Sequence, residues 1–369
     1  SFFKEVPSFD NVGYPIAEIK NDGSFYITKH PGTGGLVSTG TVTAQLLYEI
    51  SAPAYLNPDV IAHFDTLNIE EVSKDRVYVS GCRGSSPTNT HKVCINLAGG
   101  YRNGMEFILT GLDIEEKAQI ISDALFNSVG GKEQFDEVSI LLDRTDKKDP
   151  NSNEEAMASL RISVKSKDAD LVGRMFTAKM VELALANYPG LYMGGAVRSG
   201  GPVLVYWPAL IDSKHIKETV HIDGKEIDVM PTNQLNLEET YYQKQPVEMP
   251  PPPSGETLNK PLGELFGARS GDKGGCANIG VWAKSENAFS FLNNFLTVEK
   301  IKQLMPDISE FEIDRYELPN ILSLNFYIHD ILEDGVSSNN RKDGQAKSLG
   351  EYLRAKYADI PESLFEENI

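Results

Sequence analysis

Apolar residues recur along the chain with two periods, and the order of those periods predicts its elements. Residues 24–29 (SFYITK) are β-rich, HPGTGG follows, and residues 42–50 (VTAQLLYEI) carry apolar side chains at helical spacing, which predicts strand, loop and helix. Apolar runs at 76–80, 92–97 and 105–110 predict strands, 113–126 (DIEEKAQIISDALF) a helix and 138–142 (VSILL) a further strand. A polar stretch over 143–155 gives way to a strand at 160–164, a long amphipathic helix over 169–186 and a strand over 203–211. Residues 219–222 and 227–230 flank Asp223-Gly224, a dipeptide suited to a tight hairpin turn. Alternating strands and helices predict an α/β fold, with a mixed layered α/β domain over residues 1–230.

Between 231 and 260 the chain is polar, contains Pro250-Pro251-Pro252-Pro253 and holds no sustained apolar period, the composition of an extended, semi-rigid linker. Beyond it, strands are expected at 262–268 and 279–283, helices at 289–295 and 298–305, strands at 311–316 and 322–328, and a last helix over 348–357. That order describes a small α+β domain over 261–369. A length of 369 residues also exceeds what one core usually serves.

Charge and cysteine content narrow the setting. With 53 acidic against 35 basic residues the formal charge is -18, and no Lys/Arg block offsets it, so neither nucleic acid nor an anionic membrane surface is an expected partner. No apolar run is long enough for a transmembrane helix. Cys82, Cys94 and Cys276 form no paired metal or redox motif, which favours a reducing, cytoplasmic home, with Cys94 expected in the core. The chain opens at Ser1 and runs straight into Phe2-Phe3-Lys4, so a longer parent is expected.

Two glycine-rich stretches carry the candidate chemistry. In Thr28-Lys29-His30-Pro31-Gly32-Thr33-Gly34-Gly35, between strand and helix, glycine amides can converge on an anion while Lys29 supplies charge and His30 a proton; a tight turn before a helix is the alternative. The spacing is neither a Walker loop nor a dinucleotide fingerprint, so no cofactor is specified. In Arg269-Ser270-Gly271-Asp272-Lys273-Gly274-Gly275-Cys276-Ala277-Asn278, read as a long loop between two strands, Arg269 can grip a carboxylate or phosphate, with Ser270, Gly274, Gly275 and Asn278 lining the site. Asp272 and Lys273 form either a proton-transfer pair or a salt bridge. The loops at 81–86, with Arg83, and at 99–104 each follow a predicted strand and are weaker candidates for the same crevice.

His63, His91, His215, His221 and His329 lack the helical spacing of a metal pair, so no local metal centre is expected and ligands would have to converge from afar. His329 reads as a strand-end histidine or, held by a neighbouring carboxylate, as a base. No Gly-x-Ser-x-Gly elbow occurs.

The stretch ITKHPGTGGLVSTGTVTAQLLYEI, the downstream GLDIEEKA, the run ARSGDKGGCANIGVWA, and RYELPNILSLNFYIHDILEDGV with KSLGEYLR resemble the acyclic terpene utilisation (AtuA-type) family over nearly the whole chain. The resemblance implies a larger N-terminal α/β region, lacking an upstream segment here, and an appended ferredoxin-like α+β domain over residues 262–360. It also implies a setting of acyclic terpenoid breakdown, in which intermediates travel as acyl-CoA thioesters. The reading that follows is an enzyme, or the larger part of one, for a small carboxylate or acyl-CoA-like metabolite. Lys29 and Arg269 would hold the anion, while His30 or the Asp272/Lys273 pair would move protons. A noncatalytic binding or assembly subunit is the alternative, and a homo-oligomer is expected in either case.

Overall fold

A computed structural model describes residues 2–229 and 246–366. The chain forms two compact units: unit one takes residues 1–95, 208–336 and 343–369, and unit two takes 96–207 and 337–342.

In chain order, unit one begins with β1 (Ile16–Ile19), β2 (Phe25–Thr28), α1 (Thr39–Glu49), β3 (Ala54–Leu56), β4 (Ile61–His63), β5 (Asn68–Ser73), β6 (Arg76–Ser80) and β7 (Arg83–Ser85). Strands β1, β2, β6 and β5 form an antiparallel sheet in that order, and β3, β4 and β7 form a smaller one. Helix α1 starts where it does because Ser38 and Thr41 cap each other: the Thr41 N–H donates to the Ser38 hydroxyl oxygen at 3.3 Å, and the Ser38 N–H donates to Thr41 Oγ1 at 2.9 Å.

Strand β8 (Thr90–Thr110) leads into unit two, followed by α2 (Ile114–Ser128), β9 (Glu137–Asp143), β10 (Met157–Ser166), α3 (Phe176–Leu185), β11 (Leu191–Met193) and β12 (Gly201–Asp212). In unit two the sheet runs β11-β8-β10-β9, with β12 also on β8. Alternation divides its faces. Met105, Phe107 and Leu109 of β8 with Leu160, Ile162 and Val164 of β10 join α2 and α3 in a core that includes Ile121, Leu125, Phe176 and Met180. Glu106, Arg161 and Ser163 occupy the intervening positions on the opposite face.

The chain then forms β13 (Glu218–Ile222) and β14 (Lys225–Val229), the expected hairpin, with Asp223 (φ 49°) and Gly224 (φ 71°) in the left-handed turn. Strand β15 (Thr257–Pro261) precedes β16 (Gly267–Lys273), β17 (Cys276–Trp282), α4 (Glu286–Phe295), α5 (Val298–Leu304), β18 (Ile313–Leu318), β19 (Ser323–Ile328), α6 (Leu349–Arg354), β20 (Tyr357–Pro361) and α7 (Ser363–Glu366). The sheet β16-β17-β19-β18 is antiparallel. Its inner face supplies Ile279, Val281, Leu324 and Phe326, which join Phe289, Leu292 and Ile301 of α4 and α5 in the largest core.

Several sequence-based expectations are corrected. Residues 92–97 and 105–110 are one long strand, so 99–104 is strand rather than loop; Gly99, Gly100 and Gly104 fit close backbone approaches there. Arg83 likewise lies within β7. The predicted helix over 169–186 opens as a π-turn at Leu171–Met175, where Gly173 (ψ -127°) breaks the helix before α3. A strand, β15, lies inside the proposed linker; residues 246–256 carry no helix or strand, and the remainder, 230–245, falls outside the described residues. Residues 262–264 are a 3-10 turn before β16, and the end of the last predicted helix is β20. Cys94 is exposed, not core.

The candidate anion site

The first glycine stretch does form the loop between β2 and α1, but its amides are already used. Gly34 N–H donates to Asn11 O at 3.2 Å, Gly35 N–H donates to Ser8 O at 2.8 Å, and Thr33 N–H meets His30 O at 3.4 Å. Both glycines are needed for close packing. A Cβ on Gly34 would lie 2.4 Å from Ser8 O, and Gly35 has φ +77°. Lys29 closes the loop on itself, donating to Thr33 O at 2.7 Å with Asp75 at 3.7 Å. His30 and Gly32 are exposed. The cleft beside Gly34 and Gly35, about 350 Å³, is lined mainly by apolar side chains such as Val12, Phe25, Leu36 and Leu46. This corrects the anion-nest expectation for Lys29, Gly34 and Gly35: the loop is a folded turn beside an apolar cleft.

The second stretch is not a long loop. Lys273 pairs with Cys276, so β16 and β17 join through a two-residue turn at Gly274-Gly275, with Gly274 at φ +70°. The polar and small residues around the turn are strand positions, and alternation assigns their faces. Arg269, Gly271 and Lys273 share the face that meets α1, while Ser270 turns the other way and accepts from Gly350 N–H at 2.9 Å. Asp272 and Lys273, as neighbours on a strand, point apart. The Lys273 ammonium instead donates to the carbonyls of Tyr48 and Asp272, and among the described residues it forms no ion pair with a carboxylate. Burial pushes the Lys273 pKa down, and the charges of Glu49 and Asp272 partly oppose that shift.

Glycine makes this contact with α1 possible. A Cβ at Gly271 would meet the Tyr48 ring at 2.3 Å, and one at Gly280 would meet Leu47 Cβ at 2.5 Å. Leu47 is fully buried there, worth about 1.5–3 kcal/mol of hydrophobic stabilisation. Asn278, also fully buried, donates through Nδ2 to Leu47 O at 2.6 Å and Ile50 O at 3.1 Å; Asn325 donates to Ser51 O at 2.9 Å. These side chains satisfy carbonyls that a helix C-terminus leaves open. Asn278 is therefore a capping residue inside the protein, which corrects its placement among ligand-binding groups.

Arg269 remains exposed. Its guanidinium stacks 4.5 Å from the Tyr48 ring centroid, with the Lys273 ammonium 5.0 Å from the same ring. It lines a cleft of about 720 Å³ along edge strand β16, together with Ser270, Lys347, Phe266, Trp282 and Phe365. Among the described residues no carboxylate pairs with Arg269 or Lys347. Arg354 in the same wall is committed, bonding to Phe266 O, Gly263 O and Glu351. His30, Asp272, Lys273 and Arg83 line neither this cleft nor the apolar one. Arg83 is exposed on β7, opposite His63.

A further group was not assembled by the sequence reading. Donor atoms of Glu312, Asp314 and His329 lie within 4.8 Å of one another. His329 Nε2 is 2.9 Å from Asp314 Oδ2, the Tyr316 hydroxyl donates to that oxygen at 3.4 Å, and the Tyr327 ring stands edge-on to the imidazole. Two carboxylates and an imidazole are suited to a divalent cation or to a carboxylate-oriented base. The available signal was the two-residue spacing of Glu312, just before edge strand β18, and Asp314 within it; their pairing with His329 depends on strand register.

With this geometry in place, the family models agree with the fold. The model described as acyclic terpene utilisation family protein AtuA matches residues 1–222, and the AtuA ferredoxin-like domain matches residues 260–358. The chain belongs to the acyclic terpene utilisation family, and its C-terminal part is a ferredoxin-like domain. Comparison with curated proteins and with solved structures gave no match. Among the described residues no helix is long and apolar enough to cross a membrane.

Proposed function

We propose that the protein binds a small amphipathic anion, a carboxylate or an acyl-CoA-type thioester, in the cleft along β16, as an enzyme or enzyme component of this family. One observation carries the reading: Arg269 and Lys347, without carboxylate partners among the described residues, border a cleft whose other walls include Phe266, Trp282 and Phe365. Cations at the rim suit an anionic head, and the apolar walls suit a hydrocarbon body. Stacking on Tyr48 holds the Arg269 fork in place before a ligand arrives. The geometry favours binding over proton transfer here, because His30, Asp272 and Lys273 do not line the cleft.

Thermal denaturation with octanoate, octanoyl-CoA and the neutral control octanol tests the reading. The two anions should raise Tm and octanol should not; Arg269→Ala should remove the shift while changing the ligand-free Tm little. An undiminished shift in Arg269→Ala refutes it.

A second reading, an assembly subunit, is favoured by the β13–β14 hairpin. Val220 pairs with Ile227, so Val220, Ile222, Ile227 and Val229 share one face, and all four are exposed. We assign that face to contact with a second copy of the chain.

A further inference from the structure

Unit two contains a cationic cleft on the polar side of its sheet. It has a volume of about 320 Å³ and is lined by Arg102 and Gly104 of β8, Arg161 and Ser163 of β10, Ser139 of β9, and Asn339, Asn340 and Arg341 of a short strap, with Glu106 the acidic group in its wall. Such a concentration of arginine is unexpected in a chain of net charge -18. Simple surface solubility does not call for it.

The bonding of these groups shows what the cleft lacks. Arg102 donates Nη1 to Ser338 O at 3.3 Å and Asn339 O at 2.9 Å, and Arg161 donates Nη2 to Asn340 O at 3.1 Å. Those bonds attach the strap to the sheet, but they are to neutral carbonyls. Among the described residues neither Arg102 nor Arg161 forms an ion pair. Arg161 Nε is buried with no hydrogen-bond partner, and so is the Ser338 hydroxyl. An unsatisfied buried donor on a charged group costs more than about 1 kcal/mol, so Arg161 Nε would gain from an acceptor brought to it.

Of the carboxylates near Arg102 and Arg161, Glu137 and Asp143 are paired elsewhere, while Glu106, opposite Arg161 on β8, forms no ion pair among the described residues. Lys165 and Glu137 pair with each other at 2.6 Å, Lys342 pairs with Asp143 at 3.1 Å, and Glu106 accepts from the Ser159 hydroxyl. The Ser163 hydroxyl is fixed to Asn340 Oδ1 at 2.9 Å, which sets the strap's position.

We infer that this cleft is a second anion site, for a phosphoryl group. Guanidinium groups of the neighbouring strands β8 and β10 line the same cleft as the Ser139 hydroxyl of β9, the strand on the far side of β10. A tetrahedral phosphate with three or more acceptor oxygens matches that arrangement better than a planar carboxylate does. Binding through Nε and one Nη to two oxygens of the same phosphate requires the Arg161 side chain to turn its buried Nε into the cleft. The inference is independent of the β16 cleft, which belongs to unit one.

Isothermal titration of the full chain with inorganic phosphate, adenosine 5′-monophosphate and acetate tests it. Phosphate should bind, acetate should bind more weakly or not at all, and tighter binding of the nucleotide than of phosphate would identify an organic phosphate as the ligand. Arg161→Lys keeps the charge but loses the fork and should weaken phosphate binding about tenfold or more, whereas exposed Arg174→Gln should not alter it. Should Arg161→Lys fail to fold, Ser139→Ala serves in its place and should also weaken binding. No binding of phosphate or nucleotide at 10 mM (~10 mM being a weak limit on the affinity scale), or equal affinity in wild type and in the cleft variants, overturns the assignment.

Discussion

Asn278 Nδ2 reaches the carbonyl of Leu47 at 2.6 Å, across 231 residues of sequence, and so joins the C-terminus of α1 to the middle of the ferredoxin-like sheet. The same amide reaches Ile50 O and Asn325 Oδ1. A helix end that was read as part of one domain and a strand read as part of another thus share a buried polar network.

That network predicts a large stability effect. Asn278→Leu would leave the Leu47 carbonyl without its side-chain donor and the Ile50 carbonyl with only the long 3.4 Å bond from Asn325, at about 1–3 kcal/mol for each buried group left unsatisfied. Urea denaturation should show a loss of about 2–5 kcal/mol with a nearly unchanged slope. A loss below about 0.5 kcal/mol, the usual effect of a neutral surface change, would contradict the capping role.

Lys273 predicts a dependence on pH. Its pKa in the folded chain is depressed below the ordinary 10.5 chiefly by burial. The folded chain therefore releases the proton at a lower pH than the unfolded chain, and between the two pKa values the unfolded state binds more protons. The penalty is fully present below the folded pKa and disappears as pH rises towards 10.5. Relative to Lys273→Met, the wild type should gain stability as pH is raised from neutrality towards that value. A stability difference independent of pH would count against a desolvated ammonium.

The β13–β14 hairpin predicts how the chain associates. Replacing Val220 and Ile227 by aspartate places charge on the exposed apolar face, where each side chain is only about half buried, at 46% and 51% exposure. Sedimentation should show the wild type as an oligomer and the double variant as a monomer with unchanged Tm. A wild-type monomer, or a variant of unaltered mass, would reject the second-copy assignment.

Much of the element pattern was legible from periodicity. Helix α1, the hairpin at Asp223-Gly224 and strands β9 and β10 follow from 3.6- and 2-residue spacings that act over one or two turns. The site was less legible. The run from Arg269 to Asn278 looked like a loop because glycine and charge are poor strand formers in isolation. In the structure the same residues form strands, since Gly271 and Gly280 admit α1 against the sheet and Lys273 and Asn278 satisfy its last carbonyls.

By itself, then, the sequence determined much of the order of strands and helices, the family to which the chain belongs and the presence of a ferredoxin-like domain, because these depend on local spacing and contiguous motifs. Only the tertiary structure decided which polar groups are spent inside the protein and which still face a cleft. Asn278, Lys29 and Arg269 are all polar residues in glycine-rich stretches, yet the first caps a helix, the second closes its own loop and the third lines a cleft. The difference lies in the partner each meets, and partners brought together across hundreds of residues leave no periodic trace in the chain.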